Sequence, residues 1–175
     1  MKNAGDGQEV LWHQDFVNNS LWPAINIGIH LDGTEQDAVH FIPSARSPDV
    51  DICDVKESFH YSSQGVVSVP VSAGGLTVHD VLLVHGSPGL SDRSRRKTLY
   101  LEFRPLEMLA GHATINAVYI RLRQQLFDCA KRSYVRANND FSDQVLVEEE
   151  RSLVEALSMI NVQIDPANYC FNPAS

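Results

Sequence analysis

Residues 78–103, VHDVLLVHGSPGLSDRSRRKTLYLEF, carry the pattern from which the fold is read. An apolar, β-branched run ends at His85 and breaks at a Gly-Ser-Pro turn. It then passes through the basic cluster Arg93, Arg95, Arg96 and Lys97 and re-enters an apolar run, KTLYLEF. Short apolar runs divided by Gly, Pro, Asp and Ser are strand punctuation. The same punctuation runs upstream and predicts strands near 9–15, 24–32, 37–43, 65–71, 76–84 and 97–104. Short strands in series with no helix between them point to a sandwich or barrel. Ser44 to Ser63 is polar, without clear periodicity and long for a connection, so it reads as a loop that can cover a site.

Beyond Pro105 the spacing becomes helical. Val118, Leu122 and Leu126, with Tyr119 and Phe127 beside them, share a face of a helix over 114–134. A second helix over 143–160 puts Leu146, Leu153, Leu157 and Ile160 on one stripe and Glu148 to Glu150 on the wet side. The expected organisation is a β-core over 1–105 and a helical extension of the same domain over 106–175. A length of 175 residues fits one domain. A net charge of −8 argues against nucleic acid or an anionic membrane as partner. The cysteines Cys53, Cys129 and Cys170 form no CxxC pair and are expected as reduced thiols. With no signal-like amino terminus and no run near the ~18 apolar residues of a membrane helix, the chain reads as soluble and cytoplasmic.

Three elements carry chemistry. In EVLWHQDF, His13 and Asp15 are two apart, so on a strand they project from the same face, side by side. An isolated H-x-D is weak, because it arises by chance in many proteins. His85, at a strand end, is by itself as well explained by a bond to backbone. The basic cluster is by itself a solvated turn, although one arginine entering a buried strand can fork onto a carboxylate. Their combination is more specific. His85 follows His13 by 72 residues and Arg96 follows His85 by 11. Two imidazoles and one carboxylate bind one face of iron(II) and leave positions for a cosubstrate and O₂. An arginine beyond them suits the far carboxylate of 2-oxoglutarate.

On these pieces, Trp12 to Pro105 resembles the phytanoyl-CoA dioxygenase family, which includes ectoine-hydroxylase-like enzymes. The matching segments are WHQDF, INIGIHLDGT with AVHFIPSARS, and LLVHGSP…RRKTLYLEF. The resemblance implies a mainly β double-stranded β-helix (a cupin-like jelly roll), and the C-terminal helices read from the spacing are expected to pack outside it. It implies iron(II) and 2-oxoglutarate as cofactors, with His13, Asp15 and His85 as catalytic metal ligands. Arg96 then binds 2-oxoglutarate, assisted by Ser87. The activity implied is that of a dioxygenase hydroxylating a small molecule with O₂. Asp15 favours hydroxylation over halogenation, since related halogenases carry a small residue in its place. The chain departs from the family pattern at Asp37-Ala38, at Pro43 to Arg46 and at Leu90, and only twelve residues precede His13. The alternatives are therefore an inactive or truncated jelly-roll binding module, and a cupin-type metalloenzyme that does not use 2-oxoglutarate.

The choice between Arg95 and Arg96 follows from strand alternation, because adjacent residues face opposite ways and only one enters the barrel. In INIGIHLD, the face of Ile25, Ile27, Ile29 and Leu31 is expected in the core. Asn26, Gly28 and His30 are expected to line the barrel interior, with Gly28 leaving room for 2-oxoglutarate. Trp12 and Phe16 are expected in the core, and His79 and Asp80 in a structural turn. His40, His60 and His112 are expected as surface or satisfied histidines, and Trp22, Phe59 and Tyr61 as substrate walls.

Overall fold

The computed structural model describes residues 9–15, 24–34, 38–89, 96–105, 117–137, 144–160 and 167–170. The chain divides into two compact units, residues 1–105 with 165–175, and residues 106–164. The first holds the strands β1 (Val10–Gln14), β2 (Ile25–His30), β3 (Val39–Arg46), β4 (Val67–Val69), β5 (Leu76–Asp80), β6 (Leu83–Ser87), β7 (Thr98–Phe103) and β8 (Asn168–Tyr169), and the helix α1 (Ile52–Ser58). The strands form two antiparallel sheets, a larger one ordered β4-β3-β6-β1-β8 and a smaller one ordered β5-β2-β7. This is the jelly-roll class expected from the sequence.

Three local features differ from the sequence reading, each for a physical reason. The run 76–84 is two strands, because the chain turns a corner at Asp80 to Leu82 and passes from the small sheet to the large one. Asp80 accepts a bond from the Leu82 N–H, and the buried Val81 backbone ties Asp15 to Ala24. Strand β3 runs on to Arg46, and its register with β6 shifts between Phe41 and Arg46, around Pro43, which has no N–H to donate. The 44–63 segment is not a structureless loop. Asp51 caps α1 by accepting from the Cys53 and Asp54 N–H groups, and Ile52 and Val55 bury one helical face.

That helix packs on a core of Trp12, Ile42, Ala45 and Val84. Burying each large aliphatic side chain there contributes roughly 1.5–3 kcal/mol. Phe59 and Tyr61 join this core instead of forming a free substrate wall. The Trp12 indole donates to Phe59 O (3.0 Å) and the Tyr61 hydroxyl to Val10 O (2.9 Å). Gly86 permits β6 to lie against β1, since a Cβ there would sit 2.8 Å from Val10 O.

Cys53 and Cys170 are joined in a disulfide, which corrects the expectation of three thiols, and Cys129 is the free cysteine. The sequence separation of 117 between Cys53 and Cys170 hid the pairing in the sequence. The bridge fastens the tail to α1 and holds β8 at the edge of the large sheet, beside β1.

The second unit holds α2 (Ala117–Ala137) and α3 (Gln144–Ser158), close to the bounds predicted. Cys129 and Leu146 are buried where the two helices meet, and Arg132 pairs with Glu149 across them. No helix among the described residues is long and apolar enough to cross a membrane.

Candidate metal centre

Strands β1 and β6 are antiparallel neighbours, and His13 and His85 are direct partners in their register. Directly opposed residues project from one face of a sheet. Their ring centroids are accordingly 4.2 Å apart. Asp15 follows His13 by two, just past the end of β1, and its Oδ1 lies 3.5 Å from both His13 Nε2 and His85 Nε2. The three ligand atoms all fall within 4.8 Å of one another. Ligand atoms bonded at about 2 Å to one ion lie at most about 4 Å apart, a span that the two 3.5 Å separations meet.

Both imidazoles are preset for coordination. His13 Nδ1 lies 2.8 Å from Leu11 O and His85 Nδ1 lies 3.0 Å from Leu83 O. A carbonyl only accepts, so each Nδ1 carries the proton and each Nε2 turns a lone pair toward Asp15. This donor set, two neutral imidazoles and a carboxylate around one point, fits a divalent transition metal.

The electrostatics agree. Burial by itself would raise the Asp15 carboxyl. Its neighbours His13, His79, His85 and Asn26 together outweigh it and hold Asp15 well below the usual carboxylate range. Burial, with His13 and His79 beside it, pushes His85 down to about 4 against the opposing effect of Asp15. The neutral imidazole is thus the form present at neutral pH. Between about 4 and 6.5 the unfolded chain binds a proton at this residue that the folded chain does not. The stability of the metal-free protein is therefore expected to be full above pH 6.5. It should be lost as pH falls toward 4, by an amount on the order of 3 kcal/mol. Thermal unfolding of metal-free protein from pH 7 to 4.5 checks this, and a melting temperature that rises on acidification contradicts it.

Arg96 is buried at 8% exposure, and its Nη2 donates to Ser87 Oγ at 2.6 Å. Ser87 is two beyond His85 on β6, on the His85 side of the strand. The Arg96 charge also reaches His30, whose pKa is lowered by burial first and by Arg96 second. Arg93 and Arg95 lie outside the described residues, as do Phe16, Trp22, Asp37, Leu90 and His112. His40 is half-buried with Nδ1 3.0 Å from Ala38 O, and His60 is exposed.

The β2 expectation is corrected on one face. Asn26, Gly28 and His30 are buried, as expected of an interior face. Ile25 and Leu31, however, are 36% and 60% exposed, so the apolar face turns outward. Gly28 leaves no room for a cosubstrate, because a Cβ there would meet Thr77 Oγ1 at 2.6 Å and the Tyr100 ring at 3.0 Å. His30 instead bonds Thr77 Oγ1 (3.1 Å) and Thr98 Oγ1 (3.3 Å).

Two site residues were missed in the sequence. His79 was expected in a turn, but it lies in β5 with Nε2 3.1 Å from Asp15 Oδ2. Its position 64 residues beyond Asp15 gave no signal without the sheet pairing. Tyr169 of the tail stacks on His13, with centroids 4.6 Å apart and planes at 13°. No motif marked it.

Residues 1–97 match the phytanoyl-CoA dioxygenase (PhyH) family model. The chain belongs to that family, whose cofactors are iron(II) and 2-oxoglutarate. Among solved structures the chain is similar to EvdMO1, at 30% identity over 60% of this chain and 25% of that one, with a TM-score of 0.51. It is also similar to AviO1 from Streptomyces viridochromogenes Tue57, at 32% identity over 61% of this chain and 48% of that one, with a TM-score of 0.50. The chain therefore spans less than half the length of either protein. No curated protein matches it at a significant level.

Proposed function

We propose that this chain is the catalytic core of a non-haem iron(II), 2-oxoglutarate-dependent dioxygenase that hydroxylates a small molecule. The observation that carries this is the convergence of His13 Nε2, His85 Nε2 and Asp15 Oδ1, with both histidines locked in the ligating tautomer. In this reading His13, Asp15 and His85 hold the iron. Arg96, steadied by Ser87, forks onto the far carboxylate of 2-oxoglutarate, and its low exposure strengthens that bond by excluding water. Bound iron(II) supplies the oxidative chemistry, in which 2-oxoglutarate and O₂ yield succinate, CO₂ and one oxygen atom for a substrate C–H bond. The protein contributes position and a dry site. Asp15 occupies the place a halide would need, which favours hydroxylation over halogenation. The core in this reading is residues 1–105 with the tail that carries β8, and the helical segment 106–164 is its extension.

The reading is tested by following 2-oxoglutarate consumption and succinate release by the purified chain, with and without iron(II). Iron-dependent succinate formation, even without a co-substrate to hydroxylate, is the expected result. Iron binding with no 2-oxoglutarate turnover under any substrate screen favours the binding-module alternative instead.

A further inference from the structure

The three metal-ligand candidates come from the large sheet and its edge, but the second oxygen of Asp15 is held from the small one. Asn26 Nδ2 donates to Asp15 Oδ2 at 2.9 Å, and His79 Nε2 lies 3.1 Å from the same oxygen. A carboxylate with no proton only accepts, so the His79 proton is on Nε2. Asn26 and His79 are direct partners in the β2–β5 register, so a single cross-strand pair supplies both donors. Both side chains are buried. Asn26 Oδ1 and His79 Nδ1 are buried without a hydrogen-bond partner among the described residues. Buried polar groups that serve the fold alone are ordinarily satisfied. These two each direct their donor at Asp15 Oδ2 and leave the other polar atom unmatched.

We propose that His79 and Asn26 are positioning residues that keep Asp15 a one-oxygen metal ligand. The proposal rests on the metal-site reading above and goes further, because it assigns a purpose to the small sheet. With Oδ2 occupied by two donors, Asp15 offers Oδ1 alone, the atom equidistant from His13 and His85. Two histidines and one carboxylate oxygen fill half of an octahedral shell and leave the other half for cosubstrate and O₂. A carboxylate swung to bind through both oxygens would take one of those positions. His79 is not itself a ligand candidate, since it falls outside the cluster whose donor atoms lie within 4.8 Å.

The test uses cobalt(II) as an air-stable probe of the full chain, with affinity read by calorimetry and coordination by the visible d–d spectrum. His79→Leu and Asn26→Ala are each expected to weaken cobalt binding by about 10- to 100-fold, the usual effect of removing a partner of a metal ligand. The spectrum should change in both as Asp15 is released. His79→Gln, which keeps an N–H donor, should stay within a few-fold of wild type. Wild-type affinity and spectrum in His79→Leu overturn the proposal, as does a His79→Gln variant as weak as His79→Leu. Asn26→Ala, on a different strand, carries the test by the same criteria should His79→Leu not fold. Asp15→Ala separates the two levels. If it leaves cobalt affinity unchanged, the metal site itself is wrong. If it weakens binding while both partner variants bind normally, only the positioning role fails.

Discussion

Asp15→Ala is expected to lower iron(II) affinity by about 100-fold or more, beyond the 10- to 100-fold typical of losing a ligand's supporting residue. Asp15 is the anionic member of the triad, and its Oδ1 is the atom both histidines face at 3.5 Å. Without it, two neutral imidazoles remain, which any soft divalent ion can bind weakly. The substitution also strips the acceptor from Asn26 and His79, leaving two buried donors unpaired at a cost of about 1–3 kcal/mol each. That is a substantial share of a typical 5–15 kcal/mol stability, so the variant should fold with a lowered melting temperature. Anaerobic calorimetric titration with iron(II), on protein shown to be folded by circular dichroism, gives the answer. Unchanged affinity in a folded Asp15→Ala variant contradicts the triad.

Arg96→Ala is expected to raise the 2-oxoglutarate concentration needed for half-maximal turnover by roughly 10- to 1000-fold while leaving iron affinity almost unchanged. A forked guanidinium–carboxylate contact comprises two charge-assisted bonds of about 1.5–3 kcal/mol each, and each ~1.4 kcal/mol is a decade in affinity. Arg96→Lys retains the charge but loses the fork, so it should fall between the two. Ser87→Ala should weaken cosubstrate binding less than Arg96→Ala, because it removes the 2.6 Å partner of the guanidinium and not the guanidinium itself. Arg95→Ala should change little. Steady-state kinetics in 2-oxoglutarate, paired with iron titrations, separate these cases. If Arg95→Ala is the damaging variant, the register is shifted by one and the mechanism survives. If neither matters, this chain does not hold that cosubstrate through its basic cluster.

Much of the site was legible because strand chemistry is periodic. His13 and Asp15 share a face by a spacing of two, whereas His85, expected at a strand end, sits mid-strand in β6 directly opposite His13. The expectation that Asn26, Gly28 and His30 face inward also rests on alternation, and all three are buried. What alternation cannot give is which strands are neighbours. Leu76 to Val84 reads as one apolar run, yet the corner at Asp80–Leu82 sends its halves to different sheets. His79 thereby faces Asp15 instead of sitting in a turn. The outward apolar face of Ile25 and Leu31 was misread for the same kind of reason, since hydrophobicity gives a face but not its direction. The disulfide and the stacking of Tyr169 on His13 join residues more than a hundred positions apart, and no local pattern encodes them. The α1 helix is different. Its Asp51 cap and the Ile52/Val55 pair were present in the sequence, but seven residues are too few for periodicity to stand out.

The central claim is that one metal ion sits between β1 and β6. Crystals grown anaerobically with iron(II), measured across the iron absorption edge, locate that ion by its anomalous scattering. The expected map holds one strong peak about 2 Å from His13 Nε2, Asp15 Oδ1 and His85 Nε2. A fully loaded crystal with its peak elsewhere, or with none at these three atoms, contradicts the account.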